Sequence, residues 1–147
     1  MEIRSPETDT EFEAYYDLRW RVLRQPWGQS SGSERDELDD DAAHVAGYDE
    51  VKGLVCVGRL HAVETGVGQV RYMAVEEPLR GRGLGQAVLN ELERLGKRQG
   101  MSVIVLDARE AAVGFYRRNG YEAVDEGHVL FGEVRHSKMR KRLDGSA

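Results

Sequence analysis

Little in this chain of 147 residues points to a secreted, membrane-spanning or metal-built protein. There is one cysteine, Cys56, which excludes an internal disulfide framework and fits a reducing, cytoplasmic setting. No apolar run approaches the roughly 20 residues that a membrane helix needs. The opening Met1-Glu2-Ile3-Arg4-Ser5-Pro6-Glu7 lacks the pattern of a secretory leader. The four histidines, at 44, 61, 128 and 136, show no close pairing such as His-x-x-x-His, so no metal site is expected. Internal repeats are absent. A strong excess of positive charge is absent too. Lys and Arg number 21 against 26 Asp and Glu, for a net charge of −5. That balance favours solubility and argues against a nucleic-acid partner or a membrane surface.

What is present supports one domain over residues 1–147, with a hydrophobic fraction of 40%, enough for one core. Phe12, Tyr15, Tyr16, Val22 and Leu23 share one face of a helix over 9–24. Arg19 lies on that face, where it either snorkels or pairs with a carboxylate, or else aims into an acceptor pocket. Residues 34–41 form a strongly acidic run, and the expectation for such a run is solvated surface. Strands follow over 42–48, 54–61 and 69–75, joined by short polar connections and therefore antiparallel. Cys56, between Val55 and Val57, reads as a buried structural thiol.

The second half changes character. Leu84, Val88, Leu92 and Leu95 mark the apolar stripe of a helix, with Gln86, Asn90, Glu91, Glu93, Arg94, Lys97 and Arg98 on the opposite face. The apolar run Val103-Ile104-Val105-Leu106 suits a strand buried on both faces. Strand 69–75, the helix and strand 103–107 make a β-α-β unit with an expected right-handed crossover. A helix over 111–118 ends at Asn119-Gly120, and strands are expected over 121–124 and 128–139. The basic tail 135–142 reads as charge alternating along that last strand.

The run Arg80-Gly81-Arg82-Gly83-Leu84-Gly85 lies between a strand and a helix start. Its glycines allow a sharp turn and close backbone approach, and the helix start offers unpaired N–H groups. Together they make an anion site. A dinucleotide fingerprint fails, because the sixth position from Gly81 is Gln86, and the Lys-Ser/Thr of a Walker loop is missing.

The same run matches the Gln/Arg-x-x-Gly-x-Gly/Ala signature of the GCN5-related N-acetyltransferase (GNAT) superfamily. Met73-Ala74-Val75 followed by Pro78 resembles that family's fourth strand, and Phe115-Tyr116-Arg117-Arg118-Asn119-Gly120-Tyr121 resembles its helix ending in Phe-Tyr-x-x-x-Gly-Phe/Tyr. Leu18-Arg19-Trp20-Arg21-Val22-Leu23-Arg24 and Arg71-Tyr72-Met73-Ala74-Val75 resemble a group of small bacterial enzymes within it. The resemblance covers almost the whole chain. It implies an α/β fold with a mixed sheet: antiparallel N-terminal strands plus a β-α-β unit that binds acetyl-CoA. It implies acetyl-CoA as co-substrate, no metal, and direct attack by an amine in a ternary complex.

Carried over residue by residue, the resemblance puts the donor pyrophosphate on Gly81, Arg82, Gly83, Leu84, Gly85 and Gln86, with Arg80 beside it. It runs the pantetheine arm along Met73, Ala74 and Val75, makes the Val75 N–H an oxyanion donor and puts Tyr116 at the general-acid position, where it either protonates the departing thiolate or steadies it by a hydrogen bond. Two departures stand out. Gln69 replaces the glutamate that serves histone-acetylating relatives as base, which leaves a water chain, His61, Glu110 or another group, or an amine that arrives already deprotonated. Arg109 replaces a common asparagine, and either contacts the donor or an acidic acceptor. Arg19, His61, Arg71 and His136 are the acceptor-side candidates, and their charge suggests a small-molecule amine that also carries an anionic group. The expected function is N-acetyl transfer to such an acceptor, in a monomer or homodimer. Two alternatives stay open: a protein N-terminal or lysine acetyltransferase, and a non-catalytic acyl-CoA sensor.

Overall fold

The computed structural model describes residues 1–130 and 134–143. Seven strands form one sheet: β1 (Glu2–Arg4), β2 (Ala43–Asp49), β3 (Gly53–Glu64), β4 (Val67–Val75), β5 (Val103–Arg109), β6 (Glu122–Leu130) and β7 (Val134–Arg142). Their order across the sheet is β1-β2-β3-β4-β5-β7-β6. Every neighbouring pair is antiparallel except β4–β5, which is parallel and is joined through a helix, as the apolar run at 103–106 predicts.

Helix α1 (Asp9–Leu23) begins at Thr8, whose hydroxyl accepts from the Glu11 N–H at 3.1 Å. It packs Tyr15, Leu18 and Leu23 against Ala46, Val57, Tyr72 and Ala74 on one face of the sheet. Helix α2 (Leu84–Arg98) covers the other face, where Val88, Leu89 and Leu92 meet Val45, Leu60, Ile104 and Leu106. The short α3 (Val113–Arg118) adds Tyr116 to that second core.

Several elements differ from the sequence expectation. β1 is a three-residue strand paired with β2, too short to carry a periodic pattern. Residues 128–130 finish β6 instead of opening the last strand, which starts at Val134. Glu93 leaves the polar face of α2 and is buried, accepting from the Tyr121 hydroxyl and from Lys141 Nζ, each at 2.9 Å. Cys56 is buried as expected, and burial pushes its thiol up to about 11.

The largest correction is the acidic run. Glu37, Asp40 and Asp41 are exposed as expected, but Glu34, Asp36 and Asp39 turn inward, and the last two act as counter-ions. Asp39 is buried in a 3-10 turn (Glu37–Asp41) capped by Asp36. Its Oδ1 accepts from Arg19 and from Arg59, each at 2.9 Å. Asp36 accepts from Arg59 at 2.6 Å and from Arg71 at 3.2 Å. Arg19 and Arg59 are both fully buried. Four guanidinium carbons, those of Arg19, Arg24, Arg59 and Arg71, lie 4.1 to 5.5 Å from the centroid of the Tyr72 ring. Arg19 is therefore a structural cation. Desolvation would raise the Asp39 carboxyl, but the Asp36 N–H, Arg19 and Arg59 outweigh it and hold the carboxyl below its ordinary value.

Removing Asp39 leaves the buried Arg19 without a carboxylate and the buried Arg59 with Asp36 alone. Asp39→Asn is expected to cost about 3–5 kcal/mol of unfolding free energy, against less than about 1 kcal/mol for Arg71→Ala at the exposed end. Chemical denaturation of the two variants checks the ordering, and equal losses would refute it.

The pH dependence follows from the histidines. Burial lowers His44 and His61 below the ordinary 6.5, with nearby Arg59 acting in the same direction on both. The unfolded chain then binds protons that the fold resists. Stability from these groups is full above pH 6.5 and is lost as pH falls through their folded values. The lowered Asp36 and Asp39 add a second loss only below their ordinary value of 3.8. Denaturation midpoints are expected to hold from pH 8 to about 6.5 and to fall from there to pH 4, and a flat profile below 6.5 would contradict the assignment.

Candidate active site

The parallel ladder between β4 and β5 is very short. It runs from Val67↔Val103 to Gln69↔Val105, and beyond it the two strands part. β4 also carries an irregularity in its pairing with β3, between Val57↔Ala74 and Arg59↔Arg71. Tyr72 sits in that gap with φ at +59°, in the left-handed region rarely used by residues with a side chain. The bulge changes the sheet's facing: Val70 packs with the α2 core, whereas Tyr72 and Ala74 pack with the α1 core.

The parted strands open a cleft of about 920 Å³ that passes through the sheet between α1 on one face and α2 and α3 on the other. The Glu76 N–H donates to the Val55 carbonyl at 2.9 Å, toward β3. Strand alternation then turns the N–H and C=O of Val75 to the opposite edge, into the cleft. The Val75 carbonyl there accepts from Arg80 Nε at 3.4 Å.

At one end stands the glycine run. Gly81 and Gly83 have φ of +82° and +80°, and a side chain on either would meet open space, so the glycines serve the turn and not a packed contact. Gly83 caps α2 without any side-chain bond. The first backbone bond of the helix is the one from Ala87 to Gly83, and the N–H groups of residues 81–86 meet no acceptor among the described residues.

Met73, Ala74, Val75, Arg80, Gly81, Gly83, Leu84, Gly85, Gln86, Arg109 and Tyr116 all line the cleft, and Arg82 does not. Tyr116 is buried, its pKa is raised by that burial, and its hydroxyl makes no hydrogen bond among the described residues. Of the acceptor-side candidates, Arg71 and His136 line the cleft, and His136 lies opposite Arg109 across β5–β7. Arg19 does not reach the wall, because Asp39, the Glu34 carbonyl and the Tyr15 hydroxyl hold it inside. His61 is also off the wall, buried with its Nδ1 3.1 Å from Arg59 and directly across β3–β4 from Gln69, which does line it. Glu110 does not line the cleft either.

Arg24, Asp107 and Arg118 line the cleft without a prior signal. Asp107 was hidden by the apolar run before it, and Arg24 by its place at the end of a helix. Arg109 donates to the Leu23 carbonyl at 3.1 Å and lies 4.5 Å from the Trp27 ring centroid. Burial, then Arg24 and Arg80, lower its pKa. Among the described residues no three His, Cys, Asp or Glu side chains gather to hold a metal ion, and no helix is long and apolar enough to cross a membrane.

Comparison with known proteins bears on this geometry. The sequence model of the acetyltransferase (GNAT) family matches residues 12–121. The chain is 30% identical to the uncharacterized N-acetyltransferase YjcF of Bacillus subtilis, over 88% of this chain and 90% of that one. It is 33% identical to an acetyltransferase of Pectobacterium atrosepticum, over 85% and 90%. Among solved structures, an aminoglycoside 6'-N-acetyltransferase complexed with coenzyme A matches all of this chain and 99% of its own, with a TM-score of 0.84 at 18% identity, a likeness of fold.

Proposed function

Because the chain belongs to the acetyltransferase (GNAT) family and is an N-acetyltransferase, we propose that it moves the acetyl group of acetyl-CoA to the amine of a small molecule, as a single domain and by direct attack in a ternary complex. The observation that carries this reading is the row of unpaired N–H groups over residues 81–86 beside the freed edge of β4. Those groups and Arg80 suit the donor pyrophosphate. The freed edge at Met73 and Val75 suits the amides of a pantetheine arm. A solved relative of the same fold with coenzyme A bound supports the same co-substrate.

In the transfer the amine nitrogen attacks the thioester carbonyl carbon. The carbon–sulfur bond breaks, the amine loses one proton, and CoA leaves as its thiol. The Val75 N–H, turned into the cleft, donates to the carbonyl oxygen as charge develops on it. Tyr116 faces the leaving sulfur. A thiol has an ordinary pKa of about 8.5, and burial lifts Tyr116 above its own ordinary value of about 10. The phenol therefore keeps its proton and steadies the thiolate by a hydrogen bond, and solvent supplies the thiol proton. Gln69 accepts no proton, so the base lies elsewhere in the cleft.

Thiol release from acetyl-CoA, followed with a panel of amines, tests the activity. Tyr116→Phe is expected to lower kcat by about 10²-fold while the KM for acetyl-CoA changes little. An unchanged kcat would remove Tyr116 from the chemistry. Binding of acetyl-CoA with no release for any amine would favour the sensor reading instead.

A further inference from the structure

The charge of the cleft is opposite to that of the chain. The protein carries a net −5, yet among the described residues five arginines (24, 71, 80, 109 and 118) and a single carboxylate, Asp107, line the cleft. Arg80 and Arg118 extend from the glycine run and α3, on the side assigned to the donor phosphates. The other three stand on the α1 face. Arg24 caps α1, Arg71 lies against the Tyr72 ring, and Arg109 reaches the Leu23 carbonyl.

Two of those three lack full compensation. Arg109 is half-buried, has that single hydrogen bond and the Trp27 ring, and meets no carboxylate within ion-pairing distance among the described residues. Among the described residues the one carboxylate that Arg71 reaches is Asp36, which Arg59 already engages through two nitrogens. Arg19, Arg59 and Arg71 together share Asp36 and Asp39, so three cations draw on two anions. A half-buried guanidinium without a counter-ion is costly, and its planar fork fits a carboxylate or a phosphate.

Asp107 is the complementary feature. Its carboxylate makes no hydrogen bond or ion pair among the described residues. It shares a face of β5 with Arg109, two residues on. Two residues past the last β4–β5 pair, Gln69↔Val105, come Arg71 on β4 and Asp107 on β5, on opposite walls of the opening.

We propose that the acceptor is a small amine carrying its own anionic group, a carboxylate or a phosphate, with the acid held by Arg109 and Arg71 and the amine turned toward Asp107. This rests on the acetyl-transfer reading above and specifies its acceptor. Asp107 takes the proton that the attacking amine sheds, directly or through water, which supplies the base that Gln69 cannot be. A polycationic acceptor would bring like charge against Arg24, Arg71 and Arg109.

The test compares matched amines in the thiol-release assay: glycine, 4-aminobutyrate, 6-aminohexanoate and aminoethyl phosphate against ethylamine, hexylamine and spermidine. Acid-bearing amines are expected to show the higher kcat/KM. Arg109→Gln should lower acceptor kcat/KM about 10–100-fold for those amines only, with the acetyl-CoA KM unchanged. Arg109→Lys should recover part of the loss. Arg71→Gln, at a residue 44% exposed, gives the same selective loss in a variant whose fold is less at risk. A merely structural role would weaken every acceptor alike. Calorimetric titration of the same amines into CoA-saturated protein reads acceptor binding without turnover. Acid-dependent binding without turnover sinks the transfer reading and keeps this one. Acid-free amines that bind and react as well as the acids overturn it, as does the failure of every acid to bind. A preference for aminoethyl phosphate over the carboxylates assigns the acid to phosphate.

Discussion

The parting of β4 from β5 after Gln69 is the constraint on which the cleft depends. A continuous parallel ladder would spend the Val75 N–H and C=O on a neighbouring strand and leave no gap through the sheet. The bulge at Tyr72 turns the chain away and reverses which face each later side chain meets. A left-handed tyrosine carries a backbone cost of order 1–3 kcal/mol, and such strain persists where the surroundings over-determine it. Here four guanidiniums surround the ring, and the Tyr72 hydroxyl lies 3.4 Å from Asp36. The acidic loop that neutralises those arginines therefore also supports the bulge, and through it the shape of the cleft.

That dependence explains what was legible in the sequence. The side proposed for the donor is built from backbone, and backbone chemistry leaves local marks. Alternating glycines, a helix start and a preceding apolar strand are contiguous, so Gly81, Gly83 and Val75, all of which line the cleft, could be proposed from spacing and resemblance together. The support around Arg19, Arg59 and Arg71 is long-range. Arg19 and Asp39 are twenty residues apart, and Asp36 and Arg71 thirty-five. Nothing local in 34–41 distinguishes a solvated acidic run from a counter-ion loop. Tyr72 looks like any strand tyrosine, because a bulge is set by register with β3 and not by its own side chain. Glu93 reads as polar-face until Lys141, forty-eight residues on, comes beside it.

The same logic sorts the arginines. Compensation declines as each approaches the cleft. Arg19 and Arg59, fully buried, hold the shortest bonds to Asp39 and Asp36. Arg71, at the cleft wall, holds Asp36 at 3.2 Å and is 44% exposed. Arg109 holds a carbonyl and an aromatic face. If these charges served the fold alone, the least compensated would be the most solvated, since water is the cheapest substitute for a missing anion. Arg109 breaks that order, being less exposed than Arg71 and less compensated. A cation held so, beside Arg24 and Arg80, is set up to gain most from an anion that arrives with the substrate.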